Sequence, residues 1–294
     1  MEPLLKPGDT IGIVSPSHVA DRDEYQTYVR GLEGLGLRVK LGGHIYRDTW
    51  GYVASDRERA DDFNAMVRDE SVRMVFFGGG QGAADLLPLL DYQAVRRFPK
   101  LYLSYSDGTS ILDAIYAQTG LVTYYGQTPA LYGAPSPYDL GQFTARFLRP
   151  APAAHTAAGP WRTVAGGCCR GRLLGGYLMN FALSLGSPCF PFPREQRYIL
   201  FLEESERFHS VPDTGIFLTC LEQHPLMGQV TGLLFGHYAQ QPPPALLDLL
   251  RRFGARSRIP VAYCGDFGHG PHHAILPIGQ EALLDTRAQT LVYL

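Results

Sequence analysis

The chain has 294 residues, a formal net charge of −2, and 45% hydrophobic and 18% charged side chains. This is the composition of a folded globular protein with room for one large domain or two ordinary ones, and it offers no bulk electrostatic pull toward nucleic acid or an anionic membrane. No stretch approaches the roughly 20 apolar residues of a membrane span, and the opening Met1 to Lys6 lacks a long apolar run, so no signal peptide is expected.

The five cysteines are odd in number, contain no Cys-x-x-Cys and include the adjacent Cys168 and Cys169. Reduced thiols in a cytoplasmic compartment are expected rather than a disulfide framework.

In chain order, Asp9 to Ser15 reads as a buried strand ended by Pro16. Asp21 to Leu35 reads as a helix with Tyr25, Tyr28, Val29 and Leu32 on one face, stopped by Gly34 and Gly36. Leu37 to Leu41 is a second strand. Ser55-x-x-Glu58 is a capping box that opens a helix through Val67. Val72 to Phe77 is an apolar strand, followed by Gly78-Gly-Gly-Gln-Gly82 and a helix over Ala83 to Leu90. Next come a strand at Leu101 to Tyr105, a helix at Ser110 to Ala117 and a strand at Leu121 to Tyr125. Alternating strands and helices predict an α/β fold with a parallel sheet covered on both faces, and ligands that bind beyond the carboxyl ends of its strands. Gly78 to Gly82 and Ser106 both lie at such ends.

Arg149 to Pro160, rich in Pro, Ala and Gly, has linker composition. The expected division is an N-terminal α/β domain over 1–148, a linker over 149–160, and a mixed α/β, strand-rich domain over 161–294. In the second half, Gly175 to Ser184 reads as a helix and Arg197 to Leu202 as a strand that ends in Glu203 and Glu204. Asp213 to Gln223 reads as a helix, and Gln229 to Phe235 and Ile259 to Tyr263 as strands. Gln280 to Leu294 reads as two short strands around a turn at Asp285.

One stretch carries chemistry in its spacing. Between the Leu101 strand and the Ser110 helix the chain must reverse at Ser106, with small residues at minus two (Ser104) and plus two (Gly108). This is the steric pattern of a nucleophile elbow, whose tight turn makes the serine Oγ project. The next N–H, from Asp107, falls at a helix N-terminus, where it can hold an oxyanion. The alternative is that these serines only cap a helix, with Ser110-x-x-Asp113 as a loose capping box.

A serine nucleophile needs a base, and the base needs an orienting acceptor. His269, set between glycines after a strand, is the candidate base. Glu203, at the end of an apolar strand, is the candidate acceptor; the alternative is that Glu203 and Glu204 open an exposed loop. The glycine cluster lacks the register of a dinucleotide fingerprint, so a second oxyanion donor suits it better. His269, His272 and His273 lack a partner cluster of Cys or Asp, and no metal or cofactor is expected.

These residues, in this order, resemble the LD-carboxypeptidase family of serine peptidases, which includes the microcin C self-immunity peptidases. The likeness runs through Leu5 to Ser17, Ala54 to Ala65, Gly79-Gly80 with Leu86 to Tyr92, and Pro99 to Thr109. It continues through Ala117 to Thr123, Gly171 to Gly176, Leu200 to Glu204 and Gly268-His269. It implies a Rossmann- or flavodoxin-like N-terminal domain, a Ser106–His269–Glu203 triad, and an oxyanion hole from Asp107 and the Gly79–Gly80 pair. Gln81, Tyr105 and Arg172 are the expected substrate contacts, and the resemblance implies a cytoplasmic homodimer acting on a small peptide in peptidoglycan recycling. The implied reaction is hydrolysis of the amide at an L,D centre of a murein-type peptide, or of the aspartyl-nucleotide linkage of microcin C.

The chain departs from the family pattern at four places. Gly78 replaces an arginine, Gln81 a tyrosine, Tyr177 an asparagine and Gln127 a proline. Loss of the arginine removes a natural partner for a substrate carboxylate, for which Arg170 and Arg172 are candidate replacements. The altered positions also leave open a binding module that keeps the fold without hydrolysis.

Overall fold

The structure is a computed structural model that describes residues 2–193 and 195–294. In its N-terminal half β1 (Thr10–Val14) is followed by α1 (Arg22–Glu33), β2 (Arg38–Leu41), α2 (Asp56–Arg68) and β3 (Val72–Phe77). Then come α3 (Tyr92–Arg97), β4 (Leu101–Ser104), α4 (Thr109–Thr119), β5 (Thr123–Tyr125) and α5 (Pro137–Phe143). Asp21 caps α1, its carboxylate accepting from the N–H groups of Asp23 and Glu24, and the Ser55–Glu58 capping box of α2 forms in full. The helix expected over Ala83 to Leu90 is instead a 3₁₀ turn, Ala83–Leu89, with Pro88 inside it. A proline there has no N–H for an α-helical ladder.

The C-terminal half contains β6 (Arg162–Ala165), β7 (Cys168–Tyr177), α6 (Leu178–Ser184), β8 (Tyr198–Glu203), α7 (Val211–Gln223) and β9 (Val230–Phe235). α8 (Pro244–Ser257), β10 (Val261–Tyr263), β11 (Leu276–Ile278), β12 (Glu281–Asp285) and β13 (Thr290–Tyr293) complete it. The helix expected from Gly175 begins only at Leu178. Gly175 and Gly176 end β7 with φ of +128° and +143°, a conformation that glycine alone adopts without strain.

The first sheet has the order β11-β5-β4-β3-β1-β2, parallel except for β11, which pairs antiparallel with β5. The second has the order β13-β12-β7-β8-β9-β10-β6, with a parallel centre from β7 to β10. The segment 149–160 separates the two sheets in sequence, except that β11 returns to the first.

One continuous apolar cluster includes Phe77 and Tyr125 of the first sheet, Leu173 and Phe201 of the second, and Phe267. Burial of this shared core fixes the carboxyl ends of β4 and β8 against each other. The 149–160 segment is itself fastened down. Asp266 accepts from Ala158 N–H at 3.0 Å and Trp161 Nε1 at 2.7 Å, and lies 2.7 Å from His155 Nε2. Asp266 stands three residues before His269, so these bonds also brace the loop that carries His269.

Candidate active site

β4 runs into a one-turn 3₁₀ segment, Ser106–Gly108, that continues directly into α4. Ser106 itself sits at φ +56°, a strained position for a residue with a Cβ. The small neighbours are required by contact: a Cβ on Gly108 would lie 2.0 Å from Ser104 Oγ. The capping alternative is not what forms. α4 has no side-chain cap, Ser110 Oγ meets Asn180 and Ser184, and Ser106 Oγ lies 2.9 Å from His269 Nε2.

His269 comes from the loop between β10 and β11, and its Nδ1 lies 3.0 Å from Glu203 Oε2. That oxygen also accepts the His269 N–H at 3.3 Å. Gly268, at φ +107°, makes the approach possible: a Cβ there would sit 2.9 Å from the Glu203 Cβ. Glu203 ends β8 fully buried, as is Glu204, so the exposed-loop alternative does not hold. The three functional groups thus form one hydrogen-bonded line contributed by β4, the β10–β11 loop and β8.

Around this line the structure adds partners that the sequence did not reveal. Tyr125 Oη donates to Glu203 Oε1 at 2.6 Å and accepts the Ser106 N–H at 3.2 Å. Burial, and then the Glu203 charge, hold its phenol well above the ordinary tyrosine range. Asp107 accepts from Ala83 N–H at 2.8 Å and from Asn180 Nδ2 at 2.6 Å. Burial pushes its carboxyl up, and those bonds oppose the shift. Thr109 Oγ1 donates to Ser106 O at 2.7 Å and accepts the Tyr177 N–H at 2.9 Å, joining elbow to second sheet. A Cβ on Gly176 would meet that hydroxyl at 2.6 Å, which accounts for the glycine pair that ends β7.

The predicted contacts divide into near and far. Gly79 lies against Ser106, where an added Cβ would be 2.7 Å from the Ser106 Cβ. Gly80 follows at φ +140°, pressed on Ser17 O, and Gln81 N–H donates to the same carbonyl at 2.8 Å. Tyr105 packs on the His269 ring with centroids 4.7 Å apart; Tyr177 lies at 4.9 Å and Phe208 at 5.1 Å.

Arg172 is elsewhere. It sits five residues before Tyr177 on β7 and is held by Gln196 Oε1 at 2.8 Å and Gly279 O at 2.7 Å. At about 3.3 Å per residue that is some 16 Å along the strand. Arg170 is farther still, paired with Glu281. Both guanidinium groups are engaged on the part of β7 away from Tyr177, so the expected substrate contact at Arg172 is not among the groups gathered around Ser106. A cavity of about 630 Å³ opens at His269 instead, lined by Arg207, His237, Gln240, Pro271 and His272.

The departure at Gln127 has a structural explanation. Gln127 is fully buried and donates from Nε2 to Asp139 O and His273 O, while its Oε1 accepts from Tyr132 Oη at 2.6 Å. The histidine cluster diverges: His269 faces Ser106, His272 Nδ1 lies 3.3 Å from Gly265 O, and His273 Nδ1 lies 3.3 Å from Asp139.

A hydroxyl, an imidazole and a carboxylate in line, beside a helix N-terminus, can perform nucleophilic acyl transfer. Residues 11–126 match the LD-carboxypeptidase N-terminal domain and residues 170–284 the LD-carboxypeptidase C-terminal domain. The chain therefore belongs to the LD-carboxypeptidase family and is a peptidase, a hydrolase. It is 30% identical to a putative carboxypeptidase of Streptomyces coelicolor, over 98% of this chain and 94% of that protein. It is 28% identical to a probable murein peptide carboxypeptidase of Bacillus subtilis, over 98% of this chain and 92% of that one. Among solved structures, the microcin C7 self-immunity protein in complex with aspartyl sulfamoyl adenosine superposes with a TM-score of 0.85 at 26% identity, covering 99% of this chain and 97% of that one.

Proposed function

We propose that the protein is a serine carboxypeptidase that hydrolyses the amide at an L,D centre of a murein-type peptide, with Ser106 as nucleophile, His269 as base and Glu203 as its orienting carboxylate. The observation that carries this reading is the continuous line Ser106 Oγ–His269–Glu203, with separations of 2.9 and 3.0 Å. Glu203 accepts the Nδ1 proton of His269, leaving Nε2 free to take the Ser106 proton as Oγ attacks the carbonyl carbon. The oxyanion that forms is met by N–H groups of Asp107 and of the Gly79–Gly80 segment. His269 then gives its proton to the leaving amine, and a water activated by the same ring releases the acyl group. Tyr125 keeps the second oxygen of Glu203 occupied, so the carboxylate presents one oxygen to His269.

A second substrate class has support of its own. The superposing self-immunity protein holds an aminoacyl-nucleotide analogue, and Gly78 lacks the family's cationic side chain. Hydrolysis of an aminoacyl-nucleotide amide is therefore the alternative reaction of the same site. A cytoplasmic homodimer engaged in peptidoglycan recycling is the setting that the murein reading implies. Among the described residues no helix is long and apolar enough to cross a membrane.

Incubation with murein tetrapeptide, its UDP-linked precursor, simple L,D-dipeptides and an aminoacyl nucleotide tests the reading. Release of D-alanine from the tetrapeptide is expected. Turnover confined to the aminoacyl nucleotide would favour the second class, and turnover of none would refute both.

A further inference from the structure

Between β1 and α1 the chain runs alongside the glycine turn that follows β3, and two hydrogen bonds of opposite sense join them. Gln81 N–H donates to Ser17 O at 2.8 Å, and His18 Nδ1 lies 3.0 Å from Gly79 O. The ring of His18 is held on its other side by Tyr25, whose Oη lies 2.6 Å from Nε2, and its own carbonyl accepts from Ser15 Oγ at 2.5 Å. A carbonyl can only accept, so Nδ1 carries the proton, and Nε2 accepts from the Tyr25 hydroxyl. Both ring nitrogens are satisfied by a neutral imidazole, and burial pushes its pKa below the usual histidine value. Behind the same turn the buried Arg59 donates to Pro16 O and, at 2.8 Å, to Gly82 O.

This places two groups on opposite sides of one backbone. A Cβ on Gly78 would project toward His18, 3.1 Å from its Cε1, and one on Gly79 would project toward Ser106. Successive side chains of an extended backbone point to opposite faces. Within one trans peptide the C=O and the N–H also point opposite ways. With Gly79 O drawn to the His18 side, the Gly80 N–H is turned to the side on which Ser106 lies.

We propose that His18 is a positioning residue for the oxyanion side of the site: it holds the Gly79 carbonyl and so aims the Gly80 N–H at the carbonyl oxygen of the group that Ser106 attacks. The proposal rests on Ser106 being the nucleophile. It also accounts for Gly78. A Cβ at position 78 would lie 3.0 Å from Thr128 Oγ1 and 3.1 Å from His18 Cε1, so a side chain there would press on the ring and the hydroxyl and displace them by a few tenths of an ångström.

The test measures the rate at which a fluorophosphonate labels Ser106, since the phosphoryl oxygen occupies the oxyanion position and no natural substrate is needed. His18→Leu keeps the bulk and loses the donor; a fall of about tenfold to a hundredfold is expected, less than complete loss of an oxyanion donor. His18→Asn keeps an N–H at the δ position and is expected within about threefold of the parent rate. If His18→Leu does not fold, Tyr25→Phe carries the test: it releases the tautomer and is expected to slow labelling severalfold. Unchanged labelling in the folded variant used overturns the proposal, as does equal loss in His18→Leu and His18→Asn. Failure of the parent protein to label at Ser106 overturns the nucleophile assignment, and this proposal with it.

Discussion

Tyr125 Oη stands between Glu203 and Ser106, donating to Oε1 of the first at 2.6 Å and accepting the N–H of the second at 3.2 Å. One phenol on the first sheet thus sets the carboxylate of the second and the backbone of the strained elbow together. A hydrogen bond to a buried charged group contributes about 1.5–3 kcal/mol. Tyr125→Phe is therefore expected to lower kcat by about tenfold to a hundredfold with KM little changed, and to lower the free energy of unfolding by a similar 1.5–3 kcal/mol. Steady-state kinetics and urea unfolding of the same preparation check both. Unchanged kcat would mean that Glu203 does not need this partner.

The place of the family's arginine is Gly78, where a Cβ would be tight against His18 and Thr128. Arg170 and Arg172 are engaged at the far part of β7. A bidentate arginine–carboxylate contact gives about ten- to a hundredfold in affinity. Without one, a tetrapeptide with a free terminal carboxylate is expected to be favoured over its C-terminal amide by less than about tenfold in kcat/KM. A larger preference would direct attention to Arg207, which lines the cavity at His269.

Asp113 lies on α4 behind the elbow, fully buried, with neither carboxyl oxygen in a hydrogen bond among the described residues. Burial pushes its pKa well above the usual carboxylate value. From about pH 4, where the unfolded chain releases this proton, up to the folded value, the native state binds more protons than the unfolded state. The Asp113 contribution to stability is thus fully present below that window and is lost as pH rises through it. Asp113→Asn, which cannot ionise, is expected to melt higher than the parent protein at pH 8, with the difference narrowing toward pH 5. Calorimetric melting points across that range check it; a constant difference would contradict it.

Much of the frame was legible in the sequence because its signals are local. Strand–helix alternation, the Ser55–Glu58 box and the small residues about Ser106 each depend on near neighbours, and each formed. α8 also carried a local signal, Pro244 followed by Leu246, Leu249, Leu250 and Phe253 at helical spacing, that the sequence reading passed over. The end of β7 was misread because Gly175 to Tyr177 looks like a small-residue helix until Thr109 approaches from the other half. The sequence showed Glu203 as an anomaly against packing and His269 as a histidine set between glycines, but not their bond. Tyr125, His18 and Asn180 gave no signal, because a tyrosine in an apolar strand or a histidine after a turn looks the same whether or not a remote chain segment meets it. Arg170 and Arg172 stand out in the sequence as cations flanking Gly171 in a glycine-rich segment, but their partners Glu281, Gln196 and Gly279 are remote in sequence and gave no signal.

The central claim is that Ser106 performs the nucleophilic attack. The most direct measurement is turnover by Ser106→Ala of whichever amide the parent protein hydrolyses, with folding checked by an unchanged melting curve. A fall in kcat of about 10⁴-fold or more is expected, the residue of activity coming from binding and the oxyanion donors. Turnover within tenfold of the parent would contradict the claim, whatever the distance from Ser106 Oγ to His269.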